Sequence, residues 1–334
     1  MTQNVPLETP DSQLKTQDSR LVTINSRPKT ILVTGGLGFI GSNLVPELEK
    51  RGHEVTICDL IQSGKPNYVR CDTGKYHQLE RLFDRHEFDY VYHLAAEYGR
   101  WNGEDYYENL WLTNVIGTKN ILRIQEKKHF RMIFFSSAEV YGDYEGKMSE
   151  DVMDNIALKQ MNDYAMSKWV GEMQVLNSAA MFGTETVRVR PVNAYGPHEY
   201  YSPYRGVIPM FIHKALHDQP YTIYSGHKRI FDYVEDTCRT FANIIDNFIS
   251  GEVYNVGSKE EWEHDIKYVS DLILEYLGKD DSKIIYKEAE PFTTKVKHMD
   301  FSKIRRDLKH NPQTPIEEGI PETIEWTKQI YGLK

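Results

Sequence analysis

The stretch VTGGLGFIGSNL, residues 33–44, joins two patterns of different periodicity. The run KTILV that leads into it, residues 29–33, is short, apolar and β-branched, which is typical of a buried strand. Beyond the glycines, Ile40, Leu44 and Leu48 recur at the spacing of one helix face. The stretch therefore predicts a strand, a tight turn and a helix in immediate succession.

The three glycines of this turn have separate physical tasks. Gly35 permits a turn that a side chain would forbid, Gly38 lets the backbone approach a pyrophosphate, and Gly41 lets helix and strand pack closely. The helix start, at Phe39 and Ile40, adds free N–H groups and the positive end of the helix dipole. Because a strand and a helix flank the glycines, we expect a dinucleotide-binding turn rather than a plain tight turn.

Two acids follow at the ends of the next predicted strands. Asp59 closes HEVTICD, residues 53–59, where a carboxylate accepts hydrogen bonds from both ribose hydroxyls of NAD and repels the 2′-phosphate of NADP. Neither Lys nor Arg directly follows it, so the pattern favours NAD. Asp72 follows a third candidate strand, where it either accepts from the adenine amino group or forms a turn.

The composition limits the classes of partner. The chain has 334 residues, 40% of them hydrophobic, a net charge of −9 and three separated cysteines. It contains no basic stripe for nucleic acid and no apolar run long enough to cross a bilayer. Residues 1–28 are polar and lack the apolar core of a signal peptide. We expect a cytoplasmic protein with no nucleic-acid, membrane or metal partner and with an N-terminal extension over residues 1–28.

Strand and helix patterns alternate from residue 29 to residue 196. This alternation predicts an α/β fold with a Rossmann-type, doubly wound parallel sheet. Beyond it, PHEYYSPYRG at residues 197–206 reads as a loop, and mixed short strands and helices follow. We therefore expect an NAD-binding domain over residues 29–196 and a smaller α/β substrate lobe mainly over residues 197–334, with some later segments returning to the first domain.

A Tyr and a Lys stand four residues apart at two places in the chain. Tyr164 and Lys168 lie in a helical segment, so both side chains project from one side of one turn. Tyr224 and Lys228 flank a glycine after a strand-like run, where the same spacing does not define a face. The spacing alone does not separate an acid–base couple from a surface pair.

Several short motifs occur in a characteristic order: the glycine turn, HLAA (93–96), SSAEVYG (136–142), YAMSK (164–168), RPVNAYGP (190–197) and RIFDYVED (229–236). Together they resemble the extended short-chain dehydrogenase/reductase family, in its branch of NAD-dependent nucleotide-sugar epimerases, dehydratases and decarboxylases. The resemblance covers nearly the whole chain from residue 29. It implies NAD as cofactor, held also by Leu94, Ala95 and Ala96, a nucleotide-diphosphate sugar as substrate, and a homodimer.

The resemblance assigns catalysis to Ser137, Tyr164 and Lys168. A free tyrosine titrates near pH 10, but a neighbouring ammonium and the positive nicotinamide ring stabilise its phenolate. Tyr164 then takes a hydroxyl proton from the sugar while hydride passes to NAD. Lys168 also holds the nicotinamide ribose, and Ser137 hydrogen-bonds the sugar oxygen as the ketone develops.

Glu139 distinguishes the reactions of the family. A Glu at this position is common in the dehydratases and decarboxylases, where it can remove a C5 proton next to a C4 ketone; a solvated carboxylate is the alternative. The dehydratases often carry an Asp or Ser just before it, where this chain has Ala138. We therefore expect an epimerase that forms a transient C4-keto sugar. A 4,6-dehydratase or decarboxylase using Glu139 is the alternative, and a carbonyl reductase or a redox-inert sensor is more distant.

Four further residues are candidates for substrate binding. The resemblance implies a sugar or phosphate contact for Asn193 and a diphosphate contact for Arg229, although a turn residue and a surface charge are the plain alternatives. Glu97 and Arg100 select the substrate if their loop lies over the sugar. A second diphosphate arginine of the family is missing from TTKVKHMDFSK, residues 293–303.

The expected homodimer has a basis in the sequence as well. Two predicted long helices, residues 106–129 and 163–183, carry apolar residues on more than one face. One face covers the sheet, and the surplus residues are expected to meet their copies in a second chain. These residues are Leu112, Ile116, Trp169 and Met173.

Overall fold

The structure, a computed structural model, describes residues 27–333. Residues 1–26, most of the predicted extension, lie outside the described residues. The strands of the described chain are β1 (Thr30–Thr34), β2 (Glu54–Asp59), β3 (Tyr68–Arg70), β4 (Tyr90–His93), β5 (Arg131–Phe135), β6 (Thr186–Pro191), β7 (Ala194–Tyr195), β8 (Tyr221–Tyr224), β9 (Lys228–Ile230), β10 (Asp232–Tyr233), β11 (Val253–Val256), β12 (Glu263–Asp265) and β13 (Ile284–Lys287).

The helices alternate with these strands. They are α1 (Phe39–Lys50), α2 (Tyr76–Arg85), α3 (Arg100–Asp105), α4 (Tyr107–Trp111), α5 (Thr118–Lys128), α6 (Val152–Asn155), α7 (Asp163–Phe182), α8 (Val207–Leu216), α9 (Val234–Asn243), α10 (Ile266–Leu277), α11 (Ser302–Leu308) and α12 (Ile316–Tyr331). A π-helical segment, Leu112–Gly117, joins α4 to α5, and 3₁₀ segments span Ala138–Tyr141 and Glu260–Trp262.

Seven strands form one parallel sheet in the order β11-β6-β5-β4-β1-β2-β3. Alternate residues of β1 face opposite layers: Ile31 and Val33 pack with α1 and α9, whereas Leu32 packs with α2, α5 and α7. Both faces of the sheet are therefore covered by helices, and the predicted doubly wound α/β fold is confirmed. The carboxyl ends of β1, β4 and β5 meet at one edge, where such sheets bind their ligands.

The second lobe consists of three two-stranded pairs, β7–β10, β8–β13 and β9–β12, with helices α8, α10 and α12. These helices share a separate apolar cluster that includes Phe211, Ile273 and Ile320. The two lobes are not two consecutive halves of the chain. After residue 196 the chain returns to the first domain, because β11 pairs with β6 in the large sheet and α9 packs on α1. The boundary at residue 196 stays a prediction about where the substrate lobe begins.

One predicted helix is not regular. The segment expected as a single helix over residues 106–129 is α4, the π-helical segment and α5 in succession. A π turn widens the helix by one residue and often lies at a functional site. Here it carries Asn114, which is buried. Helical spacing of apolar residues continues through such a turn, so the sequence pattern did not reveal it.

Candidate active site

Ser137 lies directly after β5, at the start of a 3₁₀ segment. Its Oγ accepts a hydrogen bond from the backbone N–H of Glu139 at 3.2 Å. The side chain is buried and lies close to Tyr164. The turn after β5 therefore holds the Ser137 hydroxyl against the first turn of α7.

Helix α7 presents Tyr164 and Lys168 on one face. Asn162 caps the helix, its side-chain oxygen accepting from the N–H of Ala165 at 2.8 Å. Lys168 Nζ lies 5.9 Å from the centroid of the Tyr164 ring and donates to the carbonyl of Phe135 at 2.8 Å. The ammonium is thus fixed between β5 and α7. Ser137, Tyr164 and Lys168 come together as the resemblance implies.

Burial is the largest cause of the pKa shifts of Lys168 and Tyr164. It lowers the pKa of Lys168 to about 7. It raises the pKa of Tyr164 to about 12, although the nearby Ser137 hydroxyl opposes the rise. An ionised Tyr164 near neutral pH therefore needs further positive charge, which a nicotinamide ring brings. The other pair with the same spacing, Tyr224 and Lys228, lies on two separate strands, β8 and β9.

The glycine turn between β1 and α1 forms a cradle without side chains. Gly35 has a φ of +68°, and a Cβ there would lie 2.8 Å from the backbone nitrogen of Ala95. A Cβ on Gly41 would lie 2.5 Å from the Gly35 oxygen. Gly38 precedes the first helical residue, Phe39, with no side chain capping the helix. The α1 N-terminus, including Ile40, is therefore open to an anionic group.

The predicted NAD-binding acids both contact backbone. Asp59 accepts hydrogen bonds from the N–H of Leu37, inside the glycine turn, at 3.0 Å and from the N–H of Leu60 at 2.7 Å. Asp72 accepts from the N–H of Gly74 at 2.8 Å, so it does form a turn. Asp59 thus fixes the turn while lying at the edge where a ribose would bind.

HLAA borders the same cradle. The N–H of Leu94 donates to the carbonyl of Thr34, and the N–H of Ala95 donates to the Thr34 hydroxyl, each at 3.2 Å. Ala96 follows on the way into the loop before α3. Leu94 and Ala95 therefore pack the end of β4 against the glycine turn.

Glu139 is paired with a lysine 158 residues further along the chain. Lys297 Nζ donates to Glu139 Oε1 at 2.7 Å, and the lysine side chain is only 5% exposed. Burial raises the pKa of Glu139, but Lys297, Arg100 and Arg229 outweigh it and bring the pKa to about 2. Glu139 also acts electrostatically on Tyr164. It is therefore an ionised carboxylate within the catalytic group and not a freely solvated one.

Three of the predicted substrate residues line one cavity beside this group: Arg100, Asn193 and Arg229. Arg100 pairs with Glu290 at 2.7 Å. The guanidinium of Arg229 donates to backbone carbonyls of residues 228, 294 and 295 and to the Thr293 hydroxyl. Asn193 has a φ of +37° and donates to the carbonyl of Ile230. Arg229 is thus held by the segment that carries Lys297.

Glu97 is the fourth predicted substrate residue, and it is not among the described residues that line this cavity. Its carboxylate accepts from Asn102 at 3.2 Å. Its backbone N–H and carbonyl both bond the side chain of Asn114, which also donates to Ser167 at 2.9 Å. Asn114, on the π-helical segment, therefore ties the loop that carries Glu97 to the helix that carries the catalytic pair.

Comparison with known proteins identifies this arrangement. The model of the NAD dependent epimerase/dehydratase family matches residues 31–257. The chain belongs to this family. UDP-N-acetyl-α-D-glucosaminuronate decarboxylase of Bacillus cytotoxicus is 34% identical over 90% of this chain and 98% of its own length. dTDP-glucose 4,6-dehydratase of Salmonella typhimurium is 29% identical over 89% and 92%. The crystal structure of UDP-glucose 4-epimerase of Thermus thermophilus with NAD has a TM-score of 0.79 and 26% identity, covering 90% and 99%.

As a member of the epimerase/dehydratase family, the chain is an NAD-dependent enzyme. The turn fits this cofactor: the glycines at 35 and 41 let strand, turn and helix pack closely, and no side chain caps the α1 N-terminus, where the pyrophosphate would bind. The extended short-chain dehydrogenase/reductase resemblance is confirmed, and its named relatives act on nucleotide sugars.

The sequence motifs missed two residues of this candidate site. Lys297 lies in the stretch noted only for lacking an arginine, and Asn114 lies within an apolar helical pattern. The signal for Asn114 was a polar side chain on the buried face of that pattern. The signal for Lys297 was weaker, because nothing local distinguishes it from Lys295.

Proposed function

We propose that this enzyme oxidises C4 of a nucleotide-activated uronic acid and then releases the C6 carboxyl group as CO2. The observation that carries the proposal is the buried Lys297 ammonium on Glu139, within the catalytic group of Tyr164. Charged side chains are rarely buried unless they are paired, as Lys297 is with Glu139, and a cation held next to the candidate acid–base group suits a substrate carboxylate. Lys297 has three donors, so it can hold Glu139 and a substrate carboxylate together.

The catalytic residues suit the first step. Tyr164 takes the proton of the C4 hydroxyl, and Ser137 donates a hydrogen bond to the same oxygen as it becomes a ketone. Lys168, held on the Phe135 carbonyl, stabilises the phenolate of Tyr164. NAD, held by the glycine turn between β1 and α1, would supply the acceptor for the C4 hydride and the hydride for the final reduction.

The second step follows from the chemistry of the intermediate. A 4-keto uronic acid is a β-keto acid, so the electrons of the C5–C6 bond pass into a C4 enolate as CO2 leaves. A proton then adds to C5, and the C4 ketone is reduced again. No base is needed at C5, which agrees with a Glu139 that Lys297 keeps ionised and engaged. The role of Lys297 is to orient the carboxylate.

Epimerisation at C4 is the second candidate, and Ala138 favours it. Inversion at C4 needs only the oxidation and reduction at Ser137, Tyr164 and Lys168, with the keto sugar turning over between them. The same feature argues against a 4,6-dehydratase, because loss of the C6 hydroxyl needs an acid and Ala138 offers none. An epimerase that accepts a uronic acid would have to keep the carboxyl group.

Product analysis separates these reactions. The enzyme with NAD is incubated with UDP-glucuronic acid, UDP-N-acetylglucosaminuronic acid or UDP-glucose, and NMR follows the products while a bicarbonate assay follows CO2. We expect a UDP-pentose and one CO2 per turnover from a uronic acid. A C4 epimer without CO2 would establish the second candidate. A 4-keto-6-deoxy product from UDP-glucose would refute both.

A further inference from the structure

The cavity beside the active site has polar atoms without partners on its wall. In the described part of the chain, buried side-chain atoms that lack a hydrogen-bond partner include three on residues that line this cavity: Arg100 Nη1, Glu199 Oε2 and His227 Nδ1. Buried polar groups in proteins are nearly always paired, so such a concentration points to a ligand that supplies the missing partners. Asn193 and Arg229 line the same cavity, which places it within the proposed substrate site.

Glu199 is the most unusual of these groups. Two carboxylates line the cavity among the described residues: Glu290 pairs with Arg100, whereas Glu199 has no ion pair within that part of the chain. Glu199 is only 7% exposed. Burial raises its pKa to about 7, although Arg205 opposes the rise. A buried carboxylate without a partner is costly for the fold, so a role in the structure alone does not account for it.

The backbone holds Glu199 in this position at a further cost. His198, directly before it, has a φ of +70°, in the left-handed region that disfavours a side chain. The loop is fixed on both sides, because the rings of His198 and Tyr200 pack on Trp326 at 5.5 and 5.3 Å. Strained backbone of this kind is concentrated at functional sites. The strain and the packing together direct the Glu199 carboxyl group into the cavity.

We propose that Glu199 contacts the nucleotide sugar, its carboxylate accepting a hydrogen bond from a neutral donor of that ligand, an N–H of the base or an O–H of the sugar. The proposal rests on the proposed function, which makes a nucleotide sugar the ligand of this cavity. A diphosphate is excluded as the group that Glu199 meets, because two anions repel each other. Arg100 Nη1 and His227 Nδ1, which lack partners within the described chain, suit the diphosphate instead.

Binding measurements on Glu199→Gln test this assignment. Glutamine keeps the size of the side chain but accepts a weaker hydrogen bond than an ionised carboxylate. Glu288→Gln is the matched control, because Glu288 is exposed on a neighbouring segment. Calorimetry is run with UDP and with UDP-glucuronic acid, the latter in a Tyr164→Phe background that prevents turnover. We expect Glu199→Gln to weaken at least one of them by about tenfold or more and Glu288→Gln to weaken neither.

The two ligands locate the donor. A weakening already seen with UDP assigns it to the base or its ribose, and a weakening seen only with UDP-glucuronic acid assigns it to the sugar. Equal affinity of Glu199→Gln and the parent for both ligands overturns the proposal. If the parent binds neither ligand, both the proposed function and the assignment of Glu199 fail. If Glu199→Gln binds more weakly but no CO2 is formed by the parent, only the decarboxylase reaction fails.

Proton release and thermal stability exclude a merely structural effect. A ligand donor favours the ionised carboxylate, so binding at pH 7 should release a proton from the parent and less from Glu199→Gln. The variant also removes a buried charge, so its melting temperature should equal or exceed that of the parent. A lower melting temperature with unchanged proton release would overturn the proposal. Other charged or titratable groups near Glu199 are the same in the parent and in Glu199→Gln, so the difference in proton release between them reports Glu199. These groups are Arg205, Arg100, Arg229, Glu290 and His227.

Discussion

Replacing Lys297 with methionine is the most direct test of the proposed carboxylate site. Lys297 Nζ lies 2.7 Å from Glu139 Oε1, and its side chain is 5% exposed. The pKa of Glu139 falls from an ordinary 4.5 to about 2, although burial raises it. That drop corresponds to about 3 kcal/mol of preference for the ionised form. Lys297 is the largest favourable contributor and the one cation in direct contact among the described residues.

Methionine fills a similar volume without the charge. Truncating one partner of a buried charge pair costs about 2 kcal/mol or more, so we expect kcat/KM for UDP-glucuronic acid to fall at least about thirtyfold. The affinity for UDP should change little, because the proposed function gives the ammonium the sugar carboxylate and not the nucleotide. The assay is CO2 release with UDP-glucuronic acid, alongside calorimetry with UDP.

Two further variants make this result specific. Lys295→Met removes the same charge from an exposed position two residues away and should leave the rate unchanged. Lys297→Arg keeps the charge and should retain much more activity than Lys297→Met. A Lys297→Met enzyme that releases CO2 at the parent rate would refute the reasoning. So would an equal loss of affinity for UDP and UDP-glucuronic acid, which would assign Lys297 to the nucleotide instead.

Tyr164→Phe should bind NAD normally and lose at least about a hundredfold in kcat, the usual effect of removing a positioned acid–base group; full activity would contradict the assignment. Titration of NAD and NADP should show tighter binding of NAD because of Asp59, and a preference for NADP would contradict this. Glu172→Gln should destabilise the fold by about 3 kcal/mol or more in denaturant unfolding, since it leaves the buried guanidinium of Arg190 without its carboxylate. The pKa of Glu172 is lowered from 4.5, because Arg190 outweighs burial, so this stability is present above about pH 4.5 and should be lost as the pH falls through the folded value. Met173→Glu should convert the predicted homodimer to a monomer in sedimentation, because Met173 is 44% exposed on α7; a parent that is already monomeric would reject the dimer.

Much of the fold followed from local pattern. The run at residues 29–33 and the glycines after it predicted β1, the cradle and α1, and the structure has them in that order. The helical pattern around Tyr164 and Lys168 predicted one helix face, and the family resemblance of SSAEVYG assigned Ser137. These features depend on backbone periodicity and on neighbours within a few residues, which a sequence displays directly.

Other features were hidden because they join distant parts of the chain. Lys297 meets Glu139 across 158 residues, and nothing in TTKVKHMDFSK distinguishes it from Lys295. Glu199 lies in a loop that looked merely polar and irregular. Strand β11 completes the large sheet from within the second half of the chain.

The sequence by itself determined the α/β fold and the glycine turn for NAD, because each is set by residues that are close together along the chain. The assignment of catalysis to Ser137, Tyr164 and Lys168 came from the family resemblance of the motifs. Only the tertiary structure decided which charges meet at the candidate site: the buried partner of Glu139, and the unpaired carboxyl group of Glu199. Side chains from separate elements meet there through packing, and the pKa of each depends on burial and on partners that the order of residues does not reveal.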